Sequence, residues 1–439
     1  MRASLRFDRS RKLQERSHAI IPGGAHTYAK GDDQYPVDSP GFIVRGDGCH
    51  VWDVDGNEFI EYGMGLRAVT LGHAYPSVVE AVNDELRRGN NFTRPSPIEI
   101  ECAEKLAGLV NSGEMVKFAK NGSDVTTAAV KLARAYTGRD LIAICADHPF
   151  FSVDDWFIGT TAMPTGIPLA IRNLTVTFHY NDIASVEDVF RRYPGQIACL
   201  VMEAERTEPP RDNFLQKAME ISRSNGALCV LDEIVTGFRW HIGGAQAVYG
   251  VEPDLSTFGK GMANGFSVAA LVGRREIMEL GGIRHRGERV FLLSTTYGAE
   301  THCLAAALQT MCIYEQEPVV EHLRRQGRRL TDGIVREVEA AGVRGYVGVE
   351  GHPANLSYYT KDQNGKASQA FRTLLLQELI QGGVIAPSLV VSYSHSDQDI
   401  DRTVDAVGVA LRVYARALND GVDRYLRGRP VQPVFRRFC

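Results

Sequence analysis

The sequence feature that most limits the fold is an alternation that runs from Pro76 to Gln316. Short apolar runs such as "MVKFA", "QIACLVME" and "GALCVLDE" alternate there with segments whose apolar residues recur at helical spacing. Strands that are apolar throughout are typical of a parallel sheet with helices on both faces, because neither face meets water. The alternation therefore predicts an α/β fold built on a mainly parallel sheet.

The segments on either side of this region have a different pattern. Gly41–Tyr62 alternates apolar and polar residues around Gly-Asp-Gly and Asp-Gly-Asn turns, which predicts a small antiparallel meander. After Glu317 the periodicity predicts a long charged helix, a strand and two further helices. We therefore expect an N-terminal segment at 1–70, a large domain at 71–316 and a C-terminal part at 317–439. Both chain ends are expected to build one smaller α+β domain.

Composition and charge exclude several classes of function. A formal charge of −4 gives no strong attraction for nucleic acid or for an anionic membrane. No apolar run approaches the ~18 residues of a spanning helix, and the N-terminal residues lack the apolar core of a secretion signal. The eight cysteines form no CxxC pair, which favours buried thiols over disulfides or a metal site. These features predict a cytoplasmic protein.

In an open α/β sheet, ligands bind beyond the carboxyl ends of the strands, so the residues that follow each apolar run are the candidate ligand-binding residues. After "MVKFAK" the chain continues as Asn121-Gly122-Ser123-Asp124 and then with a helical pattern. Gly122 allows close backbone approach, and we expect Ser123 to cap the helix. The amides at such a helix start can bind a phosphate, although a Gly-Ser pair also often precedes a helix without any binding role.

Two more strand ends carry ionisable residues. Asp232 and Glu233 follow the run "ALCVL", and Lys260 follows "DLSTFG" between two glycines. A buried acid needs a partner, but the acid pair alone also fits a helix cap, a metal ligand or half of a salt bridge. Pyridoxal phosphate (PLP) requires a lysine, an acid beside its ring nitrogen and an anion site for its phosphate. The joint occurrence of all three predicts a PLP site with Lys260 and Asp232 as catalytic residues.

Four motifs extend this interpretation to a family. They are "NGSDVTTAAVKLARAYTGRD", "VLDEIVTGFR", "FGKGMANGFSVAALVG" and "VIAPSLVVSYSHSDQDID". Together they resemble the class III, fold type I, PLP-dependent aminotransferases, in the branch around glutamate-1-semialdehyde 2,1-aminomutase, from about Pro22 to Leu418. The resemblance implies a homodimer with active sites at the subunit interface. It also implies a small-molecule amino donor and a carbonyl acceptor.

The resemblance assigns roles to particular residues. It implies that Lys260 forms the Schiff base and moves the proton, that Asp232 pairs with the ring nitrogen, and that Ile234 packs on one ring face. The phosphate contacts that it implies come from Gly122 and Ser123. A further contact, to the phosphate of the neighbouring subunit, is implied for Thr295, with Thr296 as a second candidate.

The other face of the ring is where this sequence departs from its relatives. Relatives carry Tyr-His-Gly at the positions of Phe150, Phe151 and Ser152. Phe150 keeps a stacking surface but lacks the tyrosine hydroxyl. The resemblance therefore implies that Phe150 stacks on the cofactor and gives it no polar contact.

Substrate recognition is expected to differ from that of the aminomutase. The arginine that binds the substrate carboxylate there aligns with Lys30, which keeps the charge without the two-pronged geometry. Arg67 is new relative to the aminomutase pattern and fits either substrate binding or an interdomain salt bridge. The stretches "GGAHTYAKGDDQYP", "DDWFIGTT" and "RPVQPVFRRFC" resemble class III enzymes that make amino sugars of antibiotics or surface polysaccharides.

The expected reaction is therefore transamination, with an oxo sugar or an aminoglycoside precursor as acceptor. Three alternatives stay open at the level of the sequence. An aminomutase would move the amino group within one molecule, and a PLP-dependent epimerase would return a proton on the opposite face. A non-enzymatic PLP-binding role is the third, against which the intact Lys260 and Asp232 argue.

Overall fold

The computed structural model describes residues 5–438, which divide into two compact units. One unit combines residues 5–75 with Glu321–Arg436, and the other consists of Pro76–Val320 and residues 437–438. The strands, numbered in chain order, are β1 (Ile43–Asp47), β2 (His50–Asp53), β3 (Glu58–Glu61), β4 (Met115–Ala119), β5 (Leu141–Cys145), β6 (Thr175–Phe178), β7 (Ile197–Glu203), β8 (Leu228–Asp232), β9 (Leu255–Phe258), β10 (Ala269–Gly273), β11 (Val347–Glu350), β12 (Ser357–Thr360) and β13 (Val384–Ile385).

The larger unit is built on a seven-stranded sheet in the order β4-β10-β9-β8-β7-β5-β6. Strands β9, β8, β7, β5 and β6 run parallel to one another, and β10 is antiparallel to both of its neighbours. Every residue of β7, β8, β9 and β10 is buried, as expected for strands covered on both faces. The predicted α/β fold with a mainly parallel sheet is confirmed.

Helices accompany this sheet along the chain. Those of the larger unit are Pro76–Leu86, Pro97–Leu109, Gly122–Thr137, Asp155–Ile158, Leu169–Arg172, Ile183–Arg192, Phe214–Ser224, Ala245–Tyr249, Arg275–Met278 and Thr301–Gln316. Gly122–Thr137, called the Gly122 helix below, begins three residues after the end of β4 and is followed by Gly138 in the left-handed conformation (φ 66°). A glycine at that position ends the helix at little cost.

The register of the central strands places their carboxyl ends together. Glu203 of β7 pairs with Asp232 of β8, and Asp232 pairs with Thr257 of β9. Because these strands are parallel, the residues that follow them emerge at one edge of the sheet. Lys260, three residues after Thr257, lies at this edge as well.

The smaller unit contains the meander expected at Gly41–Tyr62. Its sheet has the order β1-β2-β3-β13, with antiparallel pairs in the meander and a parallel pair between β3 and β13. A second sheet pairs β11 with β12. The helices here are Asp8–Ile20, Gln369–Gln381, Asp397–Asp420 and, apart from its first two residues, Val319–Ala340.

A left-handed turn follows β3 in the smaller unit. The four residues Met64–Arg67 all have φ between 43° and 72°. Left-handed backbone costs about 1–2 kcal/mol per residue that is not glycine. The turn is held by a hydrogen bond of 3.0 Å from the Val69 N–H to the Met64 carbonyl, and Met64 is buried against Val69 and Val390. Such strain persists where the surroundings fix the backbone.

Two further features concern the environment of the chain. None of the helices in residues 5–438 combines the length and the apolar character that crossing a bilayer demands. The cysteines up to Cys312 are free thiols, and all of these except Cys312 are buried.

Gly327 tests the packing of the smaller unit. It lies inside the helix Val319–Ala340, where a Cβ atom would be 1.8 Å from the carbonyl oxygen of Pro353. We expect Gly327→Ala to lower the free energy of unfolding by about 1–3 kcal/mol, because backbone must move to admit the methyl group. Urea denaturation measures the change.

Gly108 provides the matched control. It lies in the helix Pro97–Leu109, and a Cβ atom there would meet nothing within 4 Å. Gly108→Ala should stabilise the protein by up to ~1 kcal/mol through helix propensity. Equal effects of the two substitutions would contradict the close approach of Pro353.

Candidate active site

Asp232 is the last residue of β8 and is 4% exposed. Its Oδ1 atom accepts hydrogen bonds from the Ile234 N–H at 2.9 Å and from the Thr257 hydroxyl at 3.1 Å. These two hydrogen bonds orient the carboxyl group at the end of the strand.

The charge of Asp232 is strongly affected by its surroundings. Burial raises the pKa of Asp232 to about 7, and the nearby carboxylate of Glu203 adds to the increase. The hydrogen bonds from Ile234 and Thr257 and the positive charge of Lys260 act in the opposite direction. A cationic donor brought to this acid would favour its ionised form further. The effect of Lys260 also shows that the two side chains lie within electrostatic range of each other.

Lys260 begins a short 3₁₀ turn, Lys260–Ala263, directly after β9 and Gly259. Its backbone is left-handed, with φ of 44°, and the residue is half-buried. A lysine rarely adopts this conformation, which costs about 1–2 kcal/mol. Strained backbone of this kind clusters at functional sites, where neighbouring structure holds it in place.

Glu233 has a structural role that separates it from Asp232. Its fully buried carboxylate accepts the N–H groups of Ala245 and Gln246, each at 2.8 Å, and the hydroxyl of Thr236. Burial raises the pKa of Glu233, while these donors oppose the increase. Glu233 therefore caps the helix Ala245–Tyr249, and both of its carboxylate oxygens accept hydrogen bonds from the chain.

The start of the Gly122 helix differs from the expectation in one respect. The cap is Asn121, whose side chain accepts the Asp124 N–H at 3.1 Å, and the Asp124 carboxylate accepts the Asn121 N–H at 3.3 Å. The prediction that Ser123 caps the helix was wrong, because Ser123 already lies inside it. The Ser123 hydroxyl instead accepts the N–H of Val153 at 3.0 Å. The first amides of a helix have no acceptor within it, so those of Gly122 and Ser123 suit an anion.

The side chain of Ile234 lies between the start of the Gly122 helix and the residue that precedes Lys260. A Cβ atom on Gly122 would lie 2.6 Å from Ile234 Cδ1, and one on Gly259 would lie 3.7 Å from Ile234 Cγ2. Ile234 is 8% exposed, so its side chain forms an apolar floor between the two glycines. The structure thus brings Gly122, Asp232, Ile234 and Lys260 together at one edge of the sheet.

The larger unit contains two further predicted cofactor-binding residues, Phe150 and Thr295, and both are exposed. Phe150 is 44% exposed and packs edge-to-face on Phe157, with 5.6 Å between ring centroids. Thr295 is exposed in the irregular segment before the helix Thr301–Gln316, and the Thr296 carbonyl accepts a hydrogen bond from the Asn91 side chain. The cofactor roles of these residues stay predictions.

Lys30 and Arg67 belong to the smaller unit. Lys30 is exposed at the end of the short turn Tyr28–Lys30. Arg67 closes the left-handed turn, and its Nε donates to the side-chain oxygen of Asn355 at 2.8 Å. This partner is neutral and lies in the same unit, so this contact is not a salt bridge between the two units. The substrate roles of both residues stay predictions.

These features fit the chemical groups of PLP one by one. The amine of Lys260 suits its aldehyde, and the buried acid Asp232 suits its ring nitrogen. The amides of Gly122 and Ser123 suit its phosphate, and Ile234 offers an apolar surface for one ring face. This edge of the sheet therefore carries residues that fit the aldehyde, the ring nitrogen and the phosphate of that cofactor.

Comparison with known proteins identifies the family. Residues 30–407 match the model of the class-III aminotransferases. The chain belongs to this family. The class III aminotransferase is 32% identical over 427 residues to the glutamate-1-semialdehyde 2,1-aminomutase of Persephonella marina, with 91% of this chain and 98% of the relative covered.

Solved structures agree with this assignment. The class III aminotransferase is similar to the PLP internal aldimine form of the FumI protein of Sphingopyxis sp. MTA144, with a TM-score of 0.86 and 26% identity over 94% of this chain and 98% of that one. An omega-transaminase from Sphaerobacter thermophilus has a TM-score of 0.84 and 28% identity, with 93% and 98% covered. The enzyme is a PLP-dependent aminotransferase of fold type I, and pyridoxal phosphate is its cofactor.

Sequence reasoning overlooked Glu203. This residue is 2% exposed at the end of β7, directly beside Asp232 in the register of the sheet. The signal was present, because an acid follows the apolar run "IACLVM" just as Asp232 follows "ALCVL". The same strand-end rule that selected Asp232 would have selected Glu203.

Gly122 and Ile234 generate a prediction about cofactor affinity. We expect Gly122→Ala to raise the Kd for PLP at least about tenfold, because the new methyl group would displace Ile234 from the floor of the site. Titration of cofactor-stripped protein with PLP, followed by calorimetry, measures the change.

Ile234→Val removes the Cδ1 atom that the new methyl group would meet, and it completes a double-mutant cycle. The double variant should recover much of the affinity lost by Gly122→Ala, which gives a favourable coupling between the two sites. Additive losses in the double variant would show that the contact between these residues does not shape the cofactor site.

Proposed function

We propose that this enzyme transfers an amino group from a small-molecule amino donor to a carbonyl acceptor, and that the acceptor is an oxo sugar or an aminoglycoside precursor. The observation that carries the reaction is the meeting of Lys260 and Asp232 at the ends of neighbouring parallel strands. The acceptor class is supported by the stretches that resemble enzymes of amino-sugar and antibiotic biosynthesis.

PLP, when bound, supplies an electron sink that stabilises negative charge on the substrate Cα. The protein itself holds the reacting groups in place and moves a proton. Lys260 Nζ accepts the proton lost from the substrate Cα, a general-base step for which the neutral amine is required. Asp232 would keep the ring nitrogen of PLP protonated through its carboxylate. The amides of Gly122 and Ser123 would hold the phosphate.

The enzyme is proposed to act as a homodimer with shared active sites. The exposed position of Thr295 in an irregular segment suits a contact with the phosphate of the neighbouring subunit. A cytoplasmic location is supported by the free thiols, because unpaired cysteines fit a reducing compartment.

Lys30 and Arg67 are proposed to bind an anionic group of the substrate. The left-handed turn and Asn355 fix the backbone and the Nε of Arg67. A guanidinium oriented in this way suits two-pronged recognition of a carboxylate or phosphate. Phe150 is proposed to stack on the exposed face of the cofactor ring.

An aminomutase is the second candidate. It is favoured by 32% identity over 91% of this chain to an enzyme named for that reaction. The two candidates share Lys260 and Asp232, so the cofactor site does not separate them. They differ in whether a second substrate is consumed.

Lys260 carries the decisive prediction. Lys260→Ala should lower the rate of amino transfer by at least about 10³-fold, because both the covalent attachment and the proton transfer are lost. Lys217→Ala, which removes an exposed lysine of the helix Phe214–Ser224, should leave the rate unchanged. Borohydride treatment followed by peptide mass spectrometry should locate the cofactor on Lys260. A fully active Lys260→Ala enzyme would refute the assignment.

Single-substrate experiments separate the candidate reactions. A transaminase incubated with an amino donor alone should accumulate the pyridoxamine form, which a panel of oxo sugars would then return to the starting spectrum. Turnover of glutamate-1-semialdehyde without a second substrate would instead establish the aminomutase. Exchange of the Cα proton with solvent deuterium, with inversion and without the pyridoxamine form, would indicate an epimerase.

A further inference from the structure

Two buried carboxyl groups lie side by side at the cofactor edge of the sheet. Glu203 and Asp232 are register partners on the parallel strands β7 and β8, and they are 2% and 4% exposed. Side chains of paired residues point to the same face of a sheet, and neighbouring strands are only about 4.8 Å apart. A carboxylate in such proximity disfavours the ionised form of Asp232.

Arg206 lies beside Glu203 and carries the opposite charge. Its Nη1 atom lies 3.4 Å from Oε2 of Glu203, and its side chain is 23% exposed. Arg206 follows Glu203 by three residues, in the segment that leaves β7. The guanidinium therefore compensates the charge of Glu203 without a hydrogen bond to Asp232.

His148 fixes the backbone of Glu203. The Nδ1 atom of this histidine accepts the N–H of Glu203 at 3.0 Å, and the ring is 3% exposed. Burial holds the pKa of His148 below its usual value, although Glu203 opposes this effect. Because Nδ1 accepts this hydrogen bond it carries no proton, so the ring is neutral and anchors Glu203 without adding a second positive charge to the pair.

We propose that Glu203 and Arg206 are positioning residues of the cofactor site, which together set the charge that Asp232 presents to the ring nitrogen. Glu203 acts by repulsion across the strand pair, and Arg206 acts by offsetting Glu203. The proposal rests on the function proposed above, in which Asp232 faces that nitrogen. Its test concerns Asp232 alone, so it can fail while the proposed function stands.

The charged groups around Asp232 determine the direction of each effect. Glu203 faces it from β7, and Lys260 faces it from the turn after β9. Around Glu203 itself lie Arg206 and the neutral ring of His148. Removing the negative charge of Glu203 should ease ionisation of Asp232, and removing the positive charge of Arg206 should hinder it. The two variants are therefore expected to act in opposite directions.

The test is a titration of Asp232 in the full-length, cofactor-stripped protein. Infrared spectroscopy follows the protonated carboxyl band of Asp232, which is identified by its loss in Asp232→Asn. Glu203→Gln should lower the midpoint of this titration by about one pH unit or more, and Arg206→Gln should raise it. Arg206 is partly exposed, so we expect Arg206→Gln to fold. It therefore tests the proposal even if Glu203→Gln does not fold.

Glu205 is the matched control. It lies two residues beyond Glu203 and is 5% exposed, but it accepts hydrogen bonds from Trp240 Nε1 at 2.6 Å and from the Tyr249 hydroxyl. Glu205→Gln therefore removes a buried carboxylate that is not the register partner of Asp232, and it should leave the midpoint unchanged. An unchanged midpoint in Glu203→Gln or in Arg206→Gln would overturn the proposal. Shifts of both variants in the same direction would overturn it as well.

Discussion

The structure of the site depends on the burial of a carboxyl group at the end of a central strand. Asp232 can occupy this position because its Oδ1 accepts two hydrogen bonds, one from its own turn and one from the next strand. Burial still disfavours the charged form, and the pKa of Asp232 is raised to about 7. A positively charged ligand would stabilise the ionised form of this acid, and the protonated ring of PLP is such a ligand.

The parallel register of β7, β8 and β9 turns this local feature into a site. It brings Glu203, Asp232 and the turn of Lys260 to one edge. Ile234 packs between Gly122 and Gly259 at the same edge. Left-handed backbone at Lys260 adds strain of about 1–2 kcal/mol, which the buried strands around it must offset. The same elements that form the core therefore determine the geometry of the catalytic groups.

Much of this was accessible from the sequence. Fully apolar runs predicted the strands, and the polar residues after them predicted Gly122, Asp232 and Lys260, because a buried strand end is a costly place for a charge. The cap at Asn121 was missed because neighbouring Asn and Ser residues are both good caps, and only the helix start decides between them. Glu203 was overlooked although it also follows an apolar run, and only the strand register shows that it adjoins Asp232. The contact of Arg67 with Asn355 joins residues too distant in sequence for any pattern to show.

The most direct test of the account is a crystal structure of the enzyme with PLP. The account predicts a covalent connection from Lys260 Nζ to the cofactor and a ring nitrogen within about 2.6–3.2 Å of a carboxylate oxygen of Asp232. It also predicts that the phosphate lies against the amides of Gly122 and Ser123. A cofactor whose ring nitrogen faces away from Asp232, or whose phosphate lies far from the start of the Gly122 helix, would contradict it.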